Sequence, residues 1–230
     1  MQNSESSLSR YMNARNHFRV QAEADFFRNH PELIQLLAIS GEYIAGCMLL
    51  LSGKDFRNLN HGEYVSNLVV SFTRTHFIAI ELLGRGELIE SAVLARKQFE
   101  LLARLHELID GQLEKLIRKT PQLNKLTTDL RRLYSAYSEV AHSANPVHLQ
   151  QLGEMEVDGH LRTPIYPVYS VHSTVTLQHL LLSLAEFHSW ATQYLPTIFS
   201  SKERSEFEGN FVTFAAEYVK VYGDVNDEQE

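Results

Sequence analysis

Two polar series interrupt otherwise apolar stretches of this chain: Arg96 with Glu100, and Tyr134 with Ser138 and His142. Within each series the spacing is four residues, which places the members along one side of a helix. An imidazole titrates near neutrality and serves as general acid or base. A guanidinium stabilises negative charge developing on a phosphoryl group, and Tyr and Ser hydroxyls hydrogen-bond phosphate oxygens. Each series also has a plain reading. Arg96 precedes Glu100, the weaker order for a helical ion pair, so both are expected to find partners on other helices and to fix register. His142 lies close to Asn145-Pro146, where a histidine can cap the free carbonyls of a helix C-terminus.

Other chemistries find little support. Glu139 and His142 form one Glu-x-x-His, but a di-iron bundle needs two such motifs and two further carboxylates, and there is no second copy. His-Glu-x-x-His, Gly-x-Ser-x-Gly and a phosphate-cradling glycine loop are all missing. His172, His179 and His188 are too widely spaced to chelate within one turn and are expected at the surface or against a partner. Cys47 is the only cysteine, which excludes an intrachain disulfide and a four-thiolate metal site. No metal or cofactor is expected. With 28 acidic and 21 basic side chains the net charge is -7, so any RNA contact must come from a local patch.

The elements that would position these residues read as helices. Eleven glycines and six prolines in 230 residues are few for a turn-rich β fold. Helices are expected over about 8–30, 31–51, 62–83, 87–109, 121–145, 171–194 and 201–222. In the fourth, Leu88, Ala92, Ala95, Phe99, Leu102 and Ile109 fill one sector and Leu94, Leu101, Leu105 and Leu108 a second, leaving Glu90, Lys97 and Arg104 as the main exposed positions. A helix apolar on two sides belongs at the centre of a bundle. In the fifth, Thr120 and Pro121 suit an N-cap and first turn, and Leu123, Leu126, Leu130, Leu133, Tyr137 and Val140 make the cleanest amphipathic stripe. Between Val147 and Tyr169 the helical pattern breaks, and Asp158-Gly159 signals a turn. The expected fold class is all-α: one domain over 1–230, an antiparallel bundle of six or seven helices with a long loop or small hairpin around 147–169, and frayed ends at 1–8 and 223–230.

The stretch 33–51 is apolar but broken by Gln35, Ser40, Gly41 and Glu42, which reads as a core helix rather than a membrane span. Met1 to Ser9 lacks a basic region followed by an apolar run, so no signal peptide is read there and the expected compartment is the cytoplasm.

The run Leu82-Leu83-Gly84-Arg85-Gly86-Glu87 through Ala92, Leu94, Arg96 and Glu100, with Tyr134 to His142, resembles an uncharacterised bacterial all-helical family. That family is similar to the HEPN superfamily (higher eukaryote and prokaryote nucleotide-binding helix bundles). The resemblance covers about Thr75 to Asn145. It implies a metal-independent ribonuclease of the kind found in toxin–antitoxin and phage-defence systems. The superfamily signature is an Arg five positions before a His on one helix. Here that position is Tyr137, so the resemblance implies that Arg96 stands in from the neighbouring helix. Arg96, Glu100 and His142 would then be catalytic, with Tyr134 and Ser138 binding substrate. The alternative is a non-catalytic helical module that binds a protein partner or nucleotide. An antitoxin or other protein partner, and a homodimer packed through Phe207, Phe211 and Phe214, are expected possibilities in either case.

Overall fold

A computed structural model describes residues 6–142, 151–153 and 155–223. The helices are α1 (Ser7–Asn29), α2 (Leu33–Leu51), α3 (Gly62–Gly84), α4 (Leu88–Asp110), the short α5 (Leu113–Leu116), α6 (Thr128–Ala141), α7 (Ser173–Tyr194) and α8 (Ser201–Tyr222). A hairpin of β1 (Met155–Val157) and β2 (His160–Arg162) precedes α7. The fold is the expected all-α bundle, with seven long helices among the described residues. The Ser6 side chain accepts from the Ser9 backbone N–H, so α1 starts at Ser7 rather than fraying to residue 8. The rest of the expected frayed ends, at 1–5 and 224–230, lies outside the described residues.

The centre of the bundle is α4. Leu88, Ala92, Ala95, Phe99, Leu102, Leu105 and Leu108 are all buried, and α3, α6 and α7 pack around them. Ser91 donates to the Ala79 carbonyl at 2.8 Å, and Asn60 ahead of α3 donates to the Leu108 carbonyl at 3.2 Å. Those two bonds set α3 antiparallel to α4. The reverse turn between them needs Gly86, whose φ is +77° and whose missing Cβ would lie 2.6 Å from the Val168 carbonyl oxygen.

One expectation on α4 fails. Arg104 is buried, not exposed: it pairs with Glu107 at 2.9 Å and donates to the Lys119 carbonyl. The connection from α4 to α6 folds back over this turn, and Glu107 also accepts the Gln122 N–H at 2.9 Å. That return chain explains a second difference. Residues 121–127 do not extend the fifth helix; Leu123–Lys125 form a single 3-10 turn, and α6 starts only at Thr128.

A second layer joins α2 to α8. Tyr43 stacks on Phe214 with centroids 5.7 Å apart, and His188 of α7 stacks on Phe211 at 3.7 Å and 5°. His188 also reaches the Tyr43 hydroxyl through Nδ1 (3.1 Å) and Glu208 through Nε2 (3.2 Å). Burial pushes its pKa down, with Glu208 opposing the shift. The aromatic rings expected to receive a second copy are therefore internal: Phe207 and Phe214 are buried and Phe211 is half-buried under His188. His188 is likewise a core group rather than a surface one, and His179 has an internal partner in Tyr137; His172 is exposed as expected. By length and composition α2 could cross a bilayer. Here Leu33, Leu36, Tyr43, Ile44 and Cys47 are buried while Ile34 and Leu49 are exposed.

The turn signal at Asp158-Gly159 is a hairpin turn, with φ of +53° and +74° at its two central residues. The segment that follows is anchored on α1. Tyr166 stacks on Phe18 at 5.0 Å and 10°, and the Tyr169 hydroxyl lies 2.7 Å from His30 Nε2. The remainder of the expected loop, 147–150 and residue 154, lies outside the described residues.

Candidate functional site

Arg96 and Glu100 lie one turn apart on α4, beside its buried stripe. α6 runs antiparallel against that side and packs through Phe99 and Tyr137, whose centroids are 5.8 Å apart. Tyr134 and Ser138 sit on the facing side of α6, and His142 is its C-cap residue. Leu130, Tyr137 and Val140 are buried beneath them, so packing of the apolar stripe fixes where the polar edge falls.

The expected residues do meet. Arg96 Nη1 is 3.2 Å from His142 Nε2, Arg96 Nη2 donates to the Tyr134 hydroxyl at 3.3 Å, and Arg96 Nε is 3.2 Å from Glu100 Oε1. Tyr134 in turn donates to Glu100 Oε1 at 2.9 Å, and the Arg96 guanidinium carbon stands 5.4 Å from the Tyr134 ring centroid. Partial burial works against the Arg96 charge, but the Tyr134 hydroxyl and then the Glu100 carboxylate outweigh it and hold its pKa above the ordinary arginine value. A guanidinium only donates, so the bond to His142 requires an unprotonated Nε2, which places the ring proton of a neutral His142 on Nδ1.

Ser138 differs from the others. Its Oγ is buried and has no hydrogen-bond partner, so it lies beside the network without joining it. His142 also departs from its plain reading. Its backbone N–H caps the Ser138 carbonyl, but its ring reaches Arg96.

Among the described residues, the network is open on one side. The Arg96 and Glu100 side chains are 24% and 31% exposed, and His142 is exposed. A solute can therefore approach the imidazole and the guanidinium edge together. No family model, curated protein or solved structure matches the chain. What the site can do therefore rests on its own geometry. An uncharged imidazole nitrogen, a fixed guanidinium and a hydroxyl within one half-open cluster suit phosphate recognition and proton transfer. Among the described residues no group of three His, Cys, Asp or Glu side chains is placed to hold a metal ion.

Sequence reasoning missed the other polar clusters. Besides Arg104 with Glu107, His106 Nε2 lies 2.9 Å from Glu186, both nearly buried. His76 and Gln98 face each other at the α3–α4 interface, completely buried, with no well-formed hydrogen bond from either side chain. Polar residues inside the apolar sectors of α3 and α4 were the available signal: His76 lies three residues before buried Ala79 and four after buried Phe72.

Proposed function

We propose that the chain cleaves RNA without a metal ion, at the Arg96–His142 cluster, as a HEPN-like ribonuclease. The observation that carries this reading is the meeting of a guanidinium from α4 and an unprotonated imidazole nitrogen from α6 at 3.2 Å, with solvent access. His142 Nε2 takes the proton of a ribose 2′-hydroxyl. The 2′-oxygen bonds to phosphorus, the P–O5′ bond breaks, and water protonates the departing 5′-oxygen, leaving a 2′,3′-cyclic phosphate. Arg96 turns from His142 to the phosphate and stabilises the pentacoordinate charge. Glu100 orients Arg96, and Tyr134 hydrogen-bonds the phosphate; Ser138, whose Oγ is buried, takes no part in this step. Arg96 supplies from a neighbouring helix the charge that the related signature carries five residues before the histidine.

The test is cleavage of an RNA pool by purified protein beside Arg96→Ala and His142→Ala, with circular dichroism on all three. Loss in both variants, with fragments ending in cyclic phosphate and no effect of a chelator, is the expected result. Equal cleavage by all three proteins removes these residues from the mechanism.

One observation favours a second reading. Each Arg96 nitrogen lies within 3.3 Å of a group within the protein, as in a network that sets helix register. In that case the chain is a non-catalytic module for a protein partner or nucleotide. Arg96→Ala would then lower stability by about 1–3 kcal/mol, and no RNA would be cut by the wild type. An antitoxin-like partner fits either reading and would be sought by co-purification.

A further inference from the structure

A second cleft opens where α6, α7 and α8 meet, with a volume of about 470 Å³. It lies on the opposite side of α6 from the Arg96 cluster: Arg132 and Tyr134, two residues apart, point in nearly opposite directions from the helix. The walls are largely apolar, formed by Leu133, Leu182, Tyr218 and Tyr222, the two tyrosine centroids 5.1 Å apart. Past Leu182 and Tyr218 the same surface continues into a narrow slot of about 80 Å³ bounded by Leu181, Ala185 and Phe214, with no polar lining.

The mouth of the cleft is polar and rich in donors. Arg132 is exposed there and, among the described residues, makes no hydrogen bond or ion pair. His179 faces the same space, its Nδ1 2.8 Å from the Tyr137 hydroxyl. A neutral ring that accepts from Tyr137 at Nδ1 carries its proton on Nε2. Burial lowers the His179 pKa to about 4, which keeps the ring neutral near pH 7. In that tautomer Nε2–H is a donor with no protein partner among the described residues, and Nε2 is not a buried orphan. Asp129 also lines the mouth and disfavours an anion on its own side.

We propose that this cleft binds a small amphipathic carboxylate, its head group between Arg132 and His179 and its alkyl chain in the slot beside Ala185. The pairing of an unpartnered guanidinium and an N–H donor with a dry slot selects for charge at one end and hydrocarbon at the other. Nothing in this assignment depends on RNA cleavage.

The test is isothermal titration of the full-length protein with octanoate, octanol and adenosine monophosphate. Octanoate should bind with a Kd on the order of 1 mM or tighter, and octanol at least about tenfold more weakly. Arg132→Gln should weaken octanoate binding about tenfold, Ala185→Met should abolish it by filling the slot, and Asp129→Asn should strengthen it about threefold, each factor following from one charge or contact. Unchanged far-UV circular dichroism checks that the variants fold. No octanoate binding up to about 5 mM overturns the proposal, as does binding that is indifferent to both Arg132→Gln and Ala185→Met. Weaker binding in Asp129→Asn, equal binding of octanol, or preferential Arg132-dependent binding of the nucleotide overturns the carboxylate assignment.

Discussion

His76 makes this protein sensitive to mild acid in a way that one substitution can isolate. The ring is completely buried between α3 and α4, and burial lowers its pKa from 6.5 to about 4, with the nearby Gln98 amide opposing the shift only weakly. Between those values the unfolded chain binds a proton that the folded chain refuses. Stability therefore rises with pH through this window, and is lost as pH falls from about 6.5 toward 4. Taking the two pKa values, the single-site linkage relation gives a loss of about 2 kcal/mol between pH 7 and pH 5, out of a full span of about 3 kcal/mol.

Carboxylates do not obscure this window. Asp55 and Glu203, held at about 2 by Arg57 and by Lys54 respectively, lose their contribution only at lower pH. His179 and His188 are shifted in the same direction as His76, so the wild-type slope alone does not assign the effect. Leucine is close to histidine in volume, and His76→Leu removes the titration together with two unpartnered buried nitrogens. Urea unfolding of both proteins at pH 7 and pH 5 gives the comparison. The variant should retain about 2 kcal/mol more of its neutral-pH stability than the wild type does. Parallel pH profiles would refute the reasoning, because they would mean that the folded ring titrates as it does in the unfolded chain.

Arg104→Met should destabilise the fold by about 3–5 kcal/mol, because it leaves Glu107 as an uncompensated buried charge; adding Glu107→Leu should recover much of the loss in chemical denaturation. Gly86→Ala should cost about 2–3 kcal/mol, from the positive φ and the collision with the Val168 carbonyl, and a lowered thermal midpoint would register it. Cys47 is buried and its thiol is pushed up to about 12 by burial, so iodoacetamide should leave the native protein unlabelled and label it rapidly in denaturant.

The helices were legible wherever glycine, proline or a cap marks their ends. α3 stops at Gly84 and α8 starts after Ser200, whose side chain and that of Glu203 form a reciprocal capping box. The hairpin was legible because Asp-Gly tolerates two successive positive φ angles. Thr120-Pro121 misled, since here neither caps nor opens a helix: the chain returns over Glu107 at Gln122 and makes only a single 3-10 turn after it. Arg104 misled for a related reason. Helical periodicity assigns a residue to a side of its own helix, but the element that covers that side comes from elsewhere. The aromatic run in α8 showed its helical spacing but not its partner; Tyr43 and His188 are more than a hundred and fifty residues and about twenty residues away in sequence, respectively. Within the candidate site, the meeting of Arg96 and Glu100 with Tyr134 and His142 followed from two adjacent stripes of known spacing. The isolation of Ser138 Oγ did not, because it depends on a side-chain direction.

A helix buried on both sides must find an answer for every polar group it carries, and α4 uses different answers along its length. Ser91 donates to a carbonyl on α3, Arg104 is neutralised within its own last turn, and His106 pairs with a carboxylate on α7. Gln98 has no well-formed partner and sits against a histidine whose charge burial suppresses. Each of these groups is enclosed, so each can only stabilise or destabilise the fold. Arg96 has the same need for partners but meets it at an edge, where its side chain keeps 24% of its exposure. A charge that is held in place yet reachable is poor use of an ion pair for stability, since water weakens the attraction that two exposed partners share. The same exposure lets a phosphate compete for the guanidinium. That contrast, on one helix, is the physical reason for proposing chemistry at Arg96 while Arg104 serves the fold.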